Sequence, residues 1–430
     1  MRRILAVLVL ASLCSGGTAA LSPDERKLND DSFEYVWTTV RDKFWDPAIE
    51  GIDWNAVHAQ LKPEMDRART MEDARDVLRQ MLDRLHLTHF EIIPFDAYSD
   101  LEAATAPRGD GETGIDLRVV DGKALVASVQ ADSPAARAGV KTGWEMIRAG
   151  TVATSAIVAK IHAAYRHSSL EDLMLRQALL GRAQGYVGET VEILFEDGQG
   201  APVTKKMALA RPRGTLSKFG FLPPTYVWIE RRIVSEGIGY VRFNMFLDPA
   251  HVMPVFGEAV EACMSCRGFV IDLRGNPGGI GAMAMGMAGW FVDRSDTRLG
   301  TLYMRGSTLN FTISPRPEAY AGRLAILVDR TTASTSEILA QGLKDLKRAR
   351  VFGTRTAAAA LPSAIEMLPN GDGFQYAIAN YISEGGKPLE GVGVTPDVEA
   401  APTRQALLAG KDTALDAAEE WIRSPNDNLR

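Results

Sequence analysis

Through residues 22–100, apolar residues recur at three- and four-residue intervals, most regularly in FEYVWTTVRDKFW and MEDARDVLRQMLDRLH. That period lines one face of an α-helix, so this stretch reads as a helical lead-in rather than a fold with its own signature. It closes on LTHFEIIP, an apolar run expected to be extended. After a charged, glycine-rich joint, PRGDGETG, the period drops to two, and alternating runs flank the hairpin-type dipeptide Asp121-Gly122. Ser133-Pro134 then supplies a cap and a first-turn proline for a short helix. A long helical stretch, IVAKIHAAYRHSSLEDLMLRQALLG, precedes two closing strands, VEILFED and TKKMALAR.

From residue 237 onward strands and helices alternate. GIGYVRFNMF, GFVIDLR and LAILVDR read as strands, PVFGEAVEACM and SEILAQGLKDLKR as helices, and 403–422 as a closing helix. Strands separated by helices require crossover connections, hence an α/β layer. At 430 residues the chain exceeds a single core, which stops growing at roughly 250–300 residues. The expected fold class is therefore multidomain α/β (α+β). The expected divisions are 1–20, 21–105, 110–212, 213–402 and 403–430.

Composition narrows the function classes. With 46% hydrophobic and 24% charged residues and a net charge of -6, the chain is globular and poorly suited to nucleic acid. Its first residues, MRRILAVLVLASLCSGGTAA, combine two arginines, a short apolar run and small residues, the pattern of a secretory signal peptide. The run is too short to span a bilayer, which takes about 20 apolar residues. An exported, periplasmic or secreted protein without stable membrane insertion is expected. Two cysteines then remain, Cys263 and Cys266, which could form a disulfide or a redox pair; the simplest reading is that they end a helix.

The chemistry centres on LAILVDRTTASTSEILAQGLKD, where an apolar strand ends in small hydroxyl residues and opens directly into a helix. A serine at such a junction sits by the free N–H groups of the helix start, which favour developing negative charge. Ser334-Thr335-Ser336-Glu337 equally reads as a capping box. Upstream lies GFVIDLRGNPGG, a strand and an unhindered glycine turn without the lysine of a phosphate loop. Downstream lies GGKPLEGVGVTPDVEA.

In order and spacing these segments resemble the tail-specific (C-terminal processing) and tricorn-core serine proteases, and residues 114–147 resemble a PDZ domain. The resemblance implies Ser334 as nucleophile, oxyanion donors at Gly278 or Gly279 and at Thr335, and Gly114, Ile115, Asp116 and Leu117 as a carboxylate-binding loop. The lysine used by one branch of the family falls on Ala359, which cannot take a proton, and Arg355 stays protonated. The tricorn-like branch uses histidine and glutamate. Thr88-His89 matches its Ser-His step and LEGVGVTPD places Glu390 at its glutamate, with His86 as the alternative base. The resemblance thus implies a Ser-His-Glu endopeptidase acting on proteins or peptides without metal or cofactor. It leaves the oligomeric state open. The rivals are an inactive scaffold of the same fold and a small-ester hydrolase.

Overall fold

The computed structural model describes residues 20–95, 111–165 and 168–424. Residues 1–19 of the expected signal peptide, and the joint at 105–110 between the first two expected divisions, lie outside the described residues.

The described residues open on three α-helices: α1 (Pro23–Lys43), α2 (Trp54–Met65) and α3 (Met71–Asp83). Ser22 and Glu25 close a capping box at the start of α1, and Thr70 and Asp73 do the same for α3. After α3 the chain extends into β1 (Glu91–Ile93).

The next unit is an antiparallel sheet of β2 (Ile115–Val120), β3 (Lys123–Val129), β4 (Glu145–Ala149), β5 (Thr190–Glu196) and β6 (Pro202–Ala208), paired in that order. Asp121 and Gly122, at φ 51° and 75°, make the tight turn between β2 and β3. The helical insertion forms α4 (Thr154–Tyr165) and α5 (Glu171–Leu180), which bury Ile157, Ile161, Leu173 and Leu179 against Leu117, Val126 and Phe195.

The core sheet runs β7 (Ile229–Val234), β8 (Ile238–Phe243), β9 (Gly268–Asp272), β10 (Arg323–Val328), β11 (Arg350–Gly353) and, after a hairpin of β12 (Ser363–Met367) and β13 (Gly373–Ala377), β14 (Val398–Glu399). Within that sheet β8, β9, β10, β11 and β14 pair in parallel and β7 antiparallel. Sheets covered on both faces read as continuous apolar runs, and residues 268–272 are buried at every position. One face carries Phe269, Ile271 and Ile326 with α6 (Pro249–Glu261), α7 (Gly281–Ala288) and α8 (Thr335–Asp345). The other carries Val270, Ala325 and Leu327 with Trp421 and Ile422. The closing helix is two helices, α9 (Arg404–Leu408) and α10 (Thr413–Arg423), because Gly410 takes the left-handed φ of 69° that ends the first. Cys263 and Cys266 are joined as a disulfide just beyond α6.

The lead-in does not stand apart. Phe33, Val36, Leu61 and Leu78 share one hydrophobic cluster with Leu361, Phe374 and Tyr376 of the core, and β1 pairs antiparallel with β13. Arg75 of α3 donates from Nε and Nη2 to the fully buried Asp372, at 2.9 and 2.7 Å. Removing one partner of a buried ion pair strands the other charge, at a cost of about 3–5 kcal/mol. Arg75→Ala should therefore lower the free energy of urea unfolding by about that amount; a change no larger than that of a surface alanine substitution would show that the pair does not secure the lead-in.

Candidate active site

The C-terminal ends of β9, β10 and β11 face one edge of the parallel sheet, the edge where open α/β sheets place their ligands. Ser334 follows β10 and immediately precedes α8, with φ 56° and ψ −124°. A non-glycine residue held in such a conformation costs about 1–3 kcal/mol, so its surroundings must enforce it. The Ser334 N–H donates to the Ala359 carbonyl at 2.7 Å and to Glu337 Oε2 at 3.0 Å. The N–H groups of Glu337 and Ile338 donate to the Ser334 carbonyl, at 2.8 and 3.1 Å. The first turn is thus served by the backbone of Ser334, and Glu337 returns a bond to the Ser334 N–H, closing the expected capping box at the start of α8.

The turn after β9 lies against this serine. A Cβ built on Gly278 would stand 2.7 Å from Ser334 Cβ and 2.8 Å from the Thr335 nitrogen, so only glycine fits there. The Gly278 N–H donates to Asn276 Oδ1 at 2.9 Å, whereas among the described residues no hydrogen bond uses the N–H of Gly279 or of Thr335. Asn276 is buried, donates from Nδ2 to the Phe243 carbonyl, and accepts on its own carbonyl from Ala333 N–H and the Ser336 hydroxyl. It fixes the turn to the serine loop, a role that its place between glycine and proline did not signal.

Thr88, His89 and Glu390 come together across the chain. Thr88 donates to Glu390 twice, from its N–H to Oε1 at 2.8 Å and from its hydroxyl to Oε2 at 2.9 Å, and Ala360 N–H adds a third bond at 3.1 Å. His89 Nδ1 lies 2.7 Å from the Thr88 hydroxyl oxygen. Since that hydroxyl spends its one proton on Glu390, it accepts from Nδ1–H, which leaves the Nε2 lone pair free. Although the ring keeps some surface, surrounding protein desolvates it and pushes its pKa down to about 4, so it is neutral at pH 7. Burial raises the Glu390 carboxyl, opposed by its bonds from Thr88 and Ala360. No hydrogen bond joins His89 to Ser334 among the described residues. His86 is exposed, and its N–H bonds back to the Asp83 carbonyl.

Residues 353–360 bridge the two halves of the site. Ala359 is buried; its carbonyl holds Ser334, and the next N–H, of Ala360, holds Glu390. Ala333, Ala357 and Ala359 form a small apolar cluster on which Leu170, from the helical insertion, packs. Arg355 donates to the carbonyls of Gly391 and Val392, shaping the loop after Glu390. Asp397 accepts from Val351 N–H and pairs with Lys344.

Gly114, at φ 78°, leads into β2, whose outer edge pairs with no other strand among the described residues. Ile115 and Leu117 point into the core, while Asp116 accepts the Leu117 N–H. Burial alone would raise the Asp116 carboxyl, but Arg118, Arg176 and Arg242, at 2.8, 2.9 and 3.6 Å, hold it well below the usual range. Arg118 also pairs with Asp329 at 2.7 Å, which accepts from Gly275 N–H, so this sheet is tied to both loops of the site. A cavity of about 600 Å³ opens between them, lined by Arg118, Arg176, Arg274, Arg330 and Asp412; Ser334, His89 and Glu390 do not line it.

Residues 237–400 match the model of peptidase family S41, and residues 29–83 match that of the tricorn protease C1 domain. Fold and domain together define a serine-type peptidase. More particularly, residues 237–400 carry a peptidase family S41 domain, and the chain is similar to carboxyl-terminal processing peptidases. It is 28% identical over 386 residues to the chloroplastic C-terminal processing peptidase of Tetradesmus obliquus, spanning 86% of this chain and 77% of that one. It is 25% identical over 417 residues to the carboxyl-terminal-processing protease of Picosynechococcus, spanning 94% and 92%. Among solved structures, the photosystem II D1 C-terminal processing protease superposes with a TM-score of 0.58 at 22% identity, over 95% of this chain and 100% of that one. Mature CPAF superposes with a TM-score of 0.62 at 13% identity, over 93% and 97%. These two structures are similar in fold.

The close approach of Gly278 to Ser334 is directly testable. Gly278→Ala should slow fluorophosphonate labelling by about 100-fold, the penalty for a displacement of about 1 Å at a reacting group. Labelling at the wild-type rate would mean that the turn and the serine are not in contact.

Proposed function

We propose that this protein is an exported serine endopeptidase that cleaves proteins or peptides through an acyl-enzyme, with Ser334 as nucleophile, His89 as base and Glu390 as the carboxylate behind it. The observation that carries the reading is the continuous connection from Glu390 through the Thr88 hydroxyl to His89 Nδ1, beside a serine peptidase's strained strand-to-helix serine. His89 Nε2 takes the Ser334 proton as Oγ attacks the scissile carbonyl, and returns it to the leaving amine. Water then enters by the same base to release the acyl group. Glu390 stabilises the imidazolium through Thr88 rather than by direct contact. The N–H groups of Gly279 and Thr335 receive the oxyanion, since that of Gly278 is already engaged. The gap between His89 and Ser334 closes on substrate binding, as catalytic hydrogen bonds do when they tighten in the Michaelis complex.

The open edge of β2, starting at Gly114, Ile115, Asp116 and Leu117, suits an extended C-terminal peptide added as a further strand in a PDZ-like manner. Export rests on the signal-like first 20 residues. Among the described residues no helix is long and apolar enough to cross a membrane.

Ser334→Ala should abolish both casein hydrolysis and fluorophosphonate labelling; equal labelling of the two proteins would sink the assignment, and an inert wild type would favour the scaffold reading. Thr88→Val should lower kcat/KM by about 100-fold while Thr88→Ser retains most activity, general-base assistance being worth about 10²–10⁴. A Thr88→Val enzyme as fast as wild type would remove Thr88 from the path.

The pH profile supplies a third check. The base works only as neutral imidazole, so kcat/KM should rise with pH through an inflection near 4 and stay level above about 5 on the acid limb. An inflection near 6.5, the unperturbed value, would mean that His89 is solvated or is not the base.

A further inference from the structure

Glu337 lies three residues after the nucleophile, in the first turn of α8, and its side chain is fully buried. Its two carboxylate oxygens accept four hydrogen bonds. Oε1 takes the Thr356 hydroxyl at 2.5 Å and Ala358 N–H at 2.9 Å; Oε2 takes Ser334 N–H and Ala359 N–H, both at 3.0 Å. None of the described residues forms a salt bridge to it. Burying a carboxylate without a cation is costly, so four donors aimed at it are more than a helix cap needs. Burial pushes its pKa up to about 7, opposed by those same donors.

The donors are particular ones. Ser334 and Ala358 both hold positive φ, 56° and 58°, conformations that non-glycine residues keep only under constraint. Ala359 carries the carbonyl that also holds Ser334, and the N–H after it anchors Glu390. Thr356 accepts Val394 N–H at 2.7 Å, at the far side of the loop that begins at Glu390. One carboxylate therefore touches the backbone of the nucleophile and both ends of the segment that positions Glu390.

We propose that Glu337 is a positioning residue, which holds Ser334 in its strained backbone conformation and fixes the distance between the nucleophile and the Glu390–Thr88–His89 arm. This rests on the reading of Ser334 as nucleophile. Glu337 touches no substrate atom; its effect is on the geometry from which Ser334 attacks.

Glu337→Gln keeps the shape of the side chain but replaces one acceptor oxygen by an NH₂ group that faces two donors. In the purified full-length protein, kcat should fall by about 100-fold with KM within about twofold, the mark of a misplaced reacting group rather than lost substrate binding. The rate constant for fluorophosphonate labelling per active site should fall in parallel. Thr356→Val, which removes one of the four bonds, should give a smaller loss of about tenfold with the same split, and decides the matter by the same criterion if the glutamine variant does not fold. A wild-type labelling rate per active site in the folded variants, with at most a smaller titratable fraction, would make Glu337 merely structural and overturn the proposal while leaving the triad intact. Undiminished labelling in Ser334→Ala would instead bring down the reading beneath it, and the proposal with it.

Discussion

The hydrogen bonds from Thr88 to Glu390 join residues 302 apart in sequence, and the candidate site exists only where they are made. Neither partner belongs to the loop that carries Ser334. Thr88 is delivered by the lead-in helices and Glu390 by the last loop of the core, so their meeting requires the lead-in to be docked. Three features secure that docking: the cluster that Phe33 and Leu78 share with Phe374, the pairing of β1 with β13, and the buried Arg75–Asp372 pair. Apolar burial supplies the free energy, and the ladder and the ion pair supply register, because a one-residue slip of β1 would turn every side chain on it to the wrong face.

A second constraint is local. Three non-glycine residues at the site, His89, Ser334 and Ala358, hold φ values of 60°, 56° and 58°. Strain of this kind persists only where neighbouring contacts over-determine the backbone, and each of the three belongs to a segment bonded to a buried carboxylate. Glu390 holds the N–H of Thr88, next to His89, while Glu337 holds Ser334 and Ala358 themselves. Neither carboxylate is paired with a cation among the described residues. Both are solvated by N–H and O–H dipoles, which fix direction as well as charge.

Much of this was legible in the chain. Periodicity marked α1, α3 and the strands β8, β9 and β10, because those elements bury a whole face and their apolar spacing reflects it. The serine junction, the glycine turn and the Thr88-His89 and Glu390 motifs were visible as local patterns. The remainder depends on contacts between distant segments. The β12–β13 hairpin, SAIEMLPNGDGFQYA, is mixed in polarity, since Asp372 is buried by Arg75 from the lead-in and Gln375 is buried on Ser363; nothing local identifies it as the strand that receives β1. Thr88 looked like a mere neighbour of His89, and its hydroxyl lies between the His89 ring and the Glu390 carboxylate. The closing helix broke at Gly410, where one left-handed residue outweighs continuous helical spacing.

On the proposed mechanism the base comes from outside the loop, and Ala359 bears the structural consequence. A lysine at this position would need room for its chain and an environment able to lower its pKa. Here the position is packed instead: Ala333, Ala357 and Ala359 lie against one another under Leu170, and the Ala359 backbone is committed at both ends, N–H to Glu337 and carbonyl to Ser334. The small side chains let three segments approach closely enough for those bonds to form. The segment thereby becomes a spacer between Ser334 and Glu390, and on the proposed mechanism the proton acceptor comes from the docked lead-in instead. Catalytic competence on this reading is coupled to the docking of the lead-in, through a base held by Thr88 and a carboxylate held by Ala360.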